Sequence, residues 1–258
     1  MIKILNNGLL KVIGIIFSIT LLLSCEKTIK EVNGGGVVIT FDDYFISDWY
    51  NADLGLQKYD WKATFFISNL NTLSEEDFEK LRLLQSKGHE VGSHGLNHKK
   101  AKEYSQADKL DEYIQTDILP SIEILEKNGL KINSFAYPGG ARTKDTDEVL
   151  LDHFNIIRAT TYGKTDAPEQ KNYANGSRIV FGLGIDNSYG NYEEYLLKLL
   201  EYARVNNLIV IFYAHRISDE QNLPKQTVSI HVLEAICKFV KNNDMKFMTM
   251  RDLIIEGN

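Results

Sequence analysis

Short apolar runs rich in β-branched and aromatic residues alternate with longer amphipathic stretches along most of this chain. The runs fall at residues 37–41, 63–67, 90–93, 134–137, 156–160, 178–182, 208–213 and 246–249. Most lack a polar alternation, which is the pattern of strands covered on both faces, as in a parallel sheet. Helix signals lie between them. Ser74 with Asp77 reads as a capping box, and Gly88 closes that helix. Ser105 with Asp108 predicts the start of a longer helix that Gly129 closes and Pro120 kinks or splits. Residues 143–154, 192–206 and 226–242 are further amphipathic stretches. Strands alternating with helices imply βαβ units. Seven or eight such units in residues 37–258 predict a single α/β domain, a closed or nearly closed (β/α) barrel of parallel strands. An open doubly wound sheet is the alternative.

The first 36 residues follow another pattern. Residues 1–11 carry Lys3 and Lys11 and no acid, and residues 12–23 are apolar except for Gly14, Ser18 and Thr20. That run is too short to cross about 30 Å of hydrocarbon as a helix, but it suits a secretory signal. It ends in Leu22-Leu23-Ser24-Cys25 and meets charge at Glu26. This resembles the lipobox of bacterial lipoproteins, which implies a signal peptide over residues 1–24 and lipidation of Cys25. An ordinary signal peptide or a signal anchor is the alternative. Residues 25–36, ending in Gly34-Gly35-Gly36, read as a tether between membrane and domain. The expected location is the cell envelope, facing the periplasm or the exterior. Cys237, the other cysteine, sits among apolar helical positions as a core thiol.

Composition narrows the functional classes. With 43% hydrophobic and 25% charged residues in 258, the chain is globular in kind. Its net charge is −6, and loss of the signal leaves 27 cationic against 35 acidic side chains, a balance of −8. That is the wrong sign for a nucleic-acid partner. No glycine-rich phosphate loop is present, so no nucleotide cofactor is expected.

The candidate chemistry lies at the carboxyl ends of the strands. Asp42 and Asp43 follow the first run, His94 and His98 the third, Pro138-Gly139-Gly140 the fourth and His215 the seventh. In a parallel barrel these ends share the face where active sites form. Each feature has a plain structural reading: adjacent carboxylates cap helices, paired histidines occur in exposed turns, and a lone histidine is commonly a core residue. Together they offer two imidazoles and a carboxylate that leave open positions on a divalent ion, with a second carboxylate and a third histidine as base and acid. His89, His153 and His231 lack this context and read as structural or surface residues.

Thr40-Phe41-Asp42-Asp43 resembles the first motif of the polysaccharide deacetylases, the NodB-type carbohydrate esterases. Ser93-His94-Gly95-Leu96-Asn97-His98 resembles the second, Phe135-Ala136-Tyr137-Pro138-Gly139-Gly140 the third, and the apolar run ending at His215 the last. Lys62-Ala63-Thr64-Phe65-Phe66 also resembles the family's second strand. The resemblance implies a distorted (β/α) barrel and a hydrolase that removes N- or O-linked acetyl groups from glycans such as peptidoglycan, chitin or xylan. It implies Asp43, His94 and His98 as ligands of a divalent metal, commonly zinc, with cobalt, nickel or manganese as alternatives. Asp42 is the implied base and His215 the implied acid, and the Gly139 N–H is the implied oxyanion donor. Tyr44, Tyr137 and Pro138 are the expected substrate contacts.

Three departures stand out. The third motif often carries an arginine that orients the base, and here Ala136 stands there. Arg142 is the nearest replacement in sequence, and Arg158 and Arg178 are more distant ones. The fourth motif, an aspartate that tunes the acid histidine, is not recognisable, and Asp166 and Asp186 are its candidates. Tyr44 replaces the usual glycine after the aspartates. The competing reading is a carbohydrate-binding lipoprotein that keeps the fold without turnover.

Overall fold

Seven parallel strands close on themselves in chain order. They are β1 (Gly36–Asp43), β2 (Thr64–Ile67), β3 (Glu90–Ser93), β4 (Ser134–Ala136), β5 (Ile156–Thr161), β6 (Ile179–Gly184) and β7 (Ile209–Ala214), with β7 paired back onto β1. The closing ladder runs in register from Gly36 opposite Ile209 to Phe41 opposite Ala214. The computed structural model describes residues 33–190, 193–220 and 222–254, so the signal, Cys25 and most of the tether lie outside the described residues. A short parallel pair, β8 (Arg216–Ser218) and β9 (Thr227–Ser229), stands apart from the ring.

Two insertions distort the barrel. β1 pairs with β10 (Lys246–Met248) over its first three residues and with β2 only from Thr40 onward. On β7, residues 172–174 take up the hydrogen bonds of Ile209 and Ile211, so β6 pairs with β7 only at Leu183–Phe212 and Gly184–Tyr213. The eighth expected strand therefore exists, but it wedges beside β1 and does not add a stave to the ring.

Side-chain parity sorts the strand residues. Val38, Phe66, Ala136, Ile156, Val180, Ile209 and Ile211 fill the lumen together with Met248, Met250 and Leu253. Their chain neighbours, such as Val37, Ile39, Phe65 and Phe212, face the surrounding helices, because successive strand side chains point to opposite faces. Both faces are buried, hence the continuous apolar runs. A polar layer around Glu90 interrupts the lumen. The buried Glu90 carboxylate accepts from Ser134 Oγ (2.6 Å), Thr64 Oγ1 (3.2 Å) and the Arg251 N–H (2.7 Å).

The helix Glu75–Ser86 begins as the sequence predicts, with a capping box at Ser74, and the helix Lys144–Leu150 has a second box at Thr143. Other expectations need correction. Ser105 lies inside the helix Ala101–Gln106, and Asp108, at φ 57°, breaks the chain before the helix resumes at Leu110. Ser105 Oγ instead meets Thr143 Oγ1 at 3.0 Å. The last long helix is Ile230–Asn242 and not 226–242, because 227–229 pair as β9. The helix Ile46–Leu56, directly after the first motif, carries no side-chain cap and escapes sequence reading for that reason.

Candidate active site

β1 delivers two carboxylates in opposite senses. Asp42 has lumen parity and is nearly fully buried, whereas Asp43 turns aside at φ 85°. A non-glycine residue in the left-handed region costs on the order of 1–3 kcal/mol and persists where its surroundings dictate it. His98 has the same feature at φ 56°. The consequence is convergence. Asp43 Oδ1 lies 3.7 Å from His94 Nε2 and 3.4 Å from His98 Nε2, and donor atoms of the three residues all fall within 4.8 Å of one another.

The donor set fits a divalent ion. His94 Nδ1 lies 2.8 Å from the Ala136 carbonyl, so this nitrogen carries the hydrogen and Nε2 offers its lone pair. Burial pushes the His94 imidazole down to about 4, which keeps it neutral and able to ligate. Two imidazoles and one carboxylate are a hydrolytic set with open positions.

Asp42 lies beside the triad, its Oδ2 4.0 Å from His94 Nε2. The Arg158 guanidinium from β5 binds both of its carboxylate oxygens. Burial works to raise the Asp42 carboxyl, but Arg158, His94 and His215 outweigh it and hold the group below the ordinary carboxylate range. Arg158 is fully buried, with Phe66 and Tyr213 rings 5.5 and 4.7 Å from the guanidinium carbon. Arg142, the nearest candidate in sequence, is engaged elsewhere: it pairs with Asp147 and packs on Phe181. Arg178 holds the carbonyls of Leu151, Phe154 and Asn155.

His215, one residue past β7, has its Nδ1 2.8 Å from Asp186 Oδ2, which leaves Nε2 to face the cleft. Burial lowers its pKa, but the Asp186 hydrogen bond and the charges of Asp42, Asp43 and Asp186 raise it overall. Asp186, at 1% exposure, also accepts from the Ser188 N–H. Of the two aspartates weighed for this position, Asp186 makes the contact. Asp166 precedes the short helix Ala167–Glu169, where its carbonyl accepts from Glu169 N–H.

The cleft is a cavity of about 120 Å³ that the two aspartates, His94, His98, His215 and Gly139 line, with Tyr162, Tyr189 and Tyr213 on one side. Gly139 and Gly140 have positive φ, and a Cβ at Gly140 would overlap Thr160 Oγ1. Tyr137 borders the cleft, but its buried ring packs on Phe135 and its hydroxyl donates to Asp147. Pro138 is buried, and Tyr44 stands exposed at 47%, stacked on Phe45. Among the other histidines, His89 is a core residue, its Nδ1 accepting from the Ala63 N–H and its Nε2 3.0 Å from Asp53.

A buried carboxylate paired with an arginine, a metal-capable triad and a carboxylate-backed histidine converge at one end of a (β/α) barrel, an arrangement suited to hydrolysis. The sequence model for polysaccharide deacetylase matches residues 29–153, a span that holds the first three motifs. That match spans just under half of the chain, and with the barrel and its motif geometry it makes the chain similar to the polysaccharide deacetylases. A gellan lyase from a Bacillus species is 28% identical over 143 residues, 55% of this chain but 5% of that protein. Among solved structures, the Xyl-CE4 domain of a multidomain xylanase from the hindgut metagenome of Trinervitermes trinervoides is similar in fold. It is 21% identical with a TM-score of 0.50, covering 85% of this chain and 89% of that one. The CE4-family pseudoenzyme BA3943 of Bacillus anthracis is 15% identical at a TM-score of 0.53, covering 86% and 66%.

Proposed function

We propose that this chain is a metal-dependent deacetylase that hydrolyses N- or O-acetyl groups on an extracytoplasmic glycan. One observation carries the reading: Asp42, held ionised by Arg158, faces the same cleft as the Asp43–His94–His98 triad and the Asp186-backed His215. A pseudoenzyme on the same fold means that the barrel alone does not confer turnover, so the completeness of these side chains is what supports catalysis.

The residues divide the work. A divalent ion at the triad, with zinc the favoured metal, would supply Lewis-acid polarisation of the acetyl carbonyl and a water of lowered pKa. Asp42 takes the proton from the attacking water, and its depressed pKa keeps it ready as a base down to acidic pH. The upward shift of the His215 pKa favours its protonated form, and Nε2 delivers that proton to the departing amine or alkoxide. Asp186 fixes the tautomer and orientation of that ring. The Gly139 N–H at the cleft wall donates to the oxygen on which charge develops. Exposed Tyr44 and Tyr162 offer ring faces to a sugar. Lipidated Cys25 would hold the domain at a membrane, within reach of envelope glycans.

Acetate release from a panel of acetylated peptidoglycan, chitin and xylan fragments tests the reading, with zinc, cobalt, nickel and manganese supplied separately. Asp42→Asn should lower turnover about 10²–10⁴-fold while metal stays bound. No acetate from the wild type with any of these metals, alongside persistent glycan binding, would favour a binding protein instead.

A further inference from the structure

The five residues that present the two imidazoles have little structure of their own. Gly95 and His98 are both left-handed, at φ 78° and 56°. Of the three amides between the histidines, the Gly95 N–H donates to Ser93 Oγ at 3.1 Å. The other two both go to Asp117. Its carbonyl accepts from the Leu96 N–H at 3.1 Å, and its Oδ1 accepts from the Asn97 N–H at 2.9 Å and from Asn97 Nδ2 at 3.2 Å. Its other oxygen lies against Gly95, where any Cβ would overlap it, so the loop and the carboxylate fit only with glycine there.

Asp117 is fully buried, and its Oδ2 has no hydrogen-bond partner among the described residues. Burying a carboxylate is unfavourable unless its hydrogen bonds are worth the cost. The backbone that presents it is unusual too. Residues Ile114–Ile118 form a π-helical turn between Leu110–Tyr113 and Leu119–Lys127. Pro120 explains the widening, since it lacks an N–H and its ring crowds the carbonyl four residues back, at Thr116. Turns of this kind concentrate at functional sites.

We propose that Asp117 is a positioning residue that sets the His94–His98 loop in its ligating geometry. The proposal rests on the metal-site reading of Asp43, His94 and His98. Asp117 touches neither imidazole. It acts through the Leu96 and Asn97 amides, which lie between the two ligands and fix their separation and direction.

The test uses the full-length chain in detergent, with two readouts. Asp117→Leu keeps the bulk and removes the side-chain acceptor; Asp117→Asn keeps Oδ1. In EDTA, Asp117→Leu should speed hydrogen exchange of the Asn97 amide at least tenfold while the barrel strands stay protected. Its zinc affinity, read by competition with a chromophoric chelator, should fall about 10–100-fold, the usual scale for groups that orient metal ligands. Asp117→Asn should stay within about threefold of wild type in both. If Asp117→Leu does not fold, Asp117→Ala replaces it with the same expected outcomes. An acceptor-less variant with wild-type zinc affinity overturns the proposal, as does an Asn variant that binds no better than the Leu variant. A wild type that binds no zinc overturns the metal-site reading and this proposal with it, and so is told apart from failure of Asp117 alone.

Discussion

Ala136 on β4 and Arg158 on β5 are direct partners in the parallel ladder, and both have lumen parity. The guanidinium that the third motif lacks at position 136 therefore reaches Asp42 from the next strand over. The same electrostatic task is met one stave along the ring. It also explains why an alanine suffices at 136, where a larger side chain would compete with Arg158 for the lumen.

Arg158→Met should strand a buried charge, and losing one partner of such a pair costs about 3–5 kcal/mol. Without the cation, the Asp42 pKa rises. A base works only when ionised, so the acidic limb of the kcat/KM profile should move to higher pH, with turnover down at least tenfold. Adding Ala136→Arg should restore part of both losses. A rate and profile indifferent to Arg158→Met would clear that residue of orienting the base.

Arg142→Ala should behave differently. Its charge is spent on Asp147, which also accepts from the Tyr137 hydroxyl, so the loop after β4 loses stability while Asp42 does not feel the change. The expected result is a lowered Tm with an unshifted pH profile. A shifted acidic limb would show that Arg142 acts on the base after all.

Asp186→Asn should move the other limb. The Asp186 carboxylate helps to raise the His215 pKa, and the acid works only when protonated. Removing the charge lowers that pKa, so activity should be lost at lower pH on the basic side, with kcat reduced. Metal content should not change, because Asp186 contacts no member of the triad. A basic limb that stays in place would dissociate Asp186 from the proton donor.

His94→Ala and His98→Ala should each abolish stoichiometric binding of one divalent ion, measured by metal analysis after dialysis. Protons compete with metal for histidine, so affinity should also fall in acid. Burial keeps His94 neutral down to about 4, so protonation of this ligand does not drive that loss at mildly acidic pH. Equal occupancy in wild type and both variants would place the ion elsewhere.

Cys25→Ala tests the anchor. The variant should partition into the aqueous phase of Triton X-114, whereas the lipidated chain follows the detergent. Partitioning that does not change would indicate an uncleaved signal anchor.

Much of this molecule is legible from sequence because strands buried on both faces need continuous apolar runs, and a parallel barrel gathers their carboxyl ends on one rim. The strand positions, the capping box at Ser74 and the set Asp42, Asp43, His94, His98 and His215 are all legible from such local patterns. Sequence spacing alone could not rank Arg142 against Arg158, nor Asp166 against Asp186. An arginine inside an apolar run at lumen parity was the one available signal. Proximity in the chain favoured Arg142, but the ring places β5 beside β4 and β6 beside β7. Ring closure and strand parity put Arg158 on Asp42 and Asp186 behind His215, and the π-helical turn Ile114–Ile118 puts Asp117 beneath the His94–His98 loop. Those three contacts join residues 116, 29 and about 20 positions apart, and only the folded backbone sets such distances.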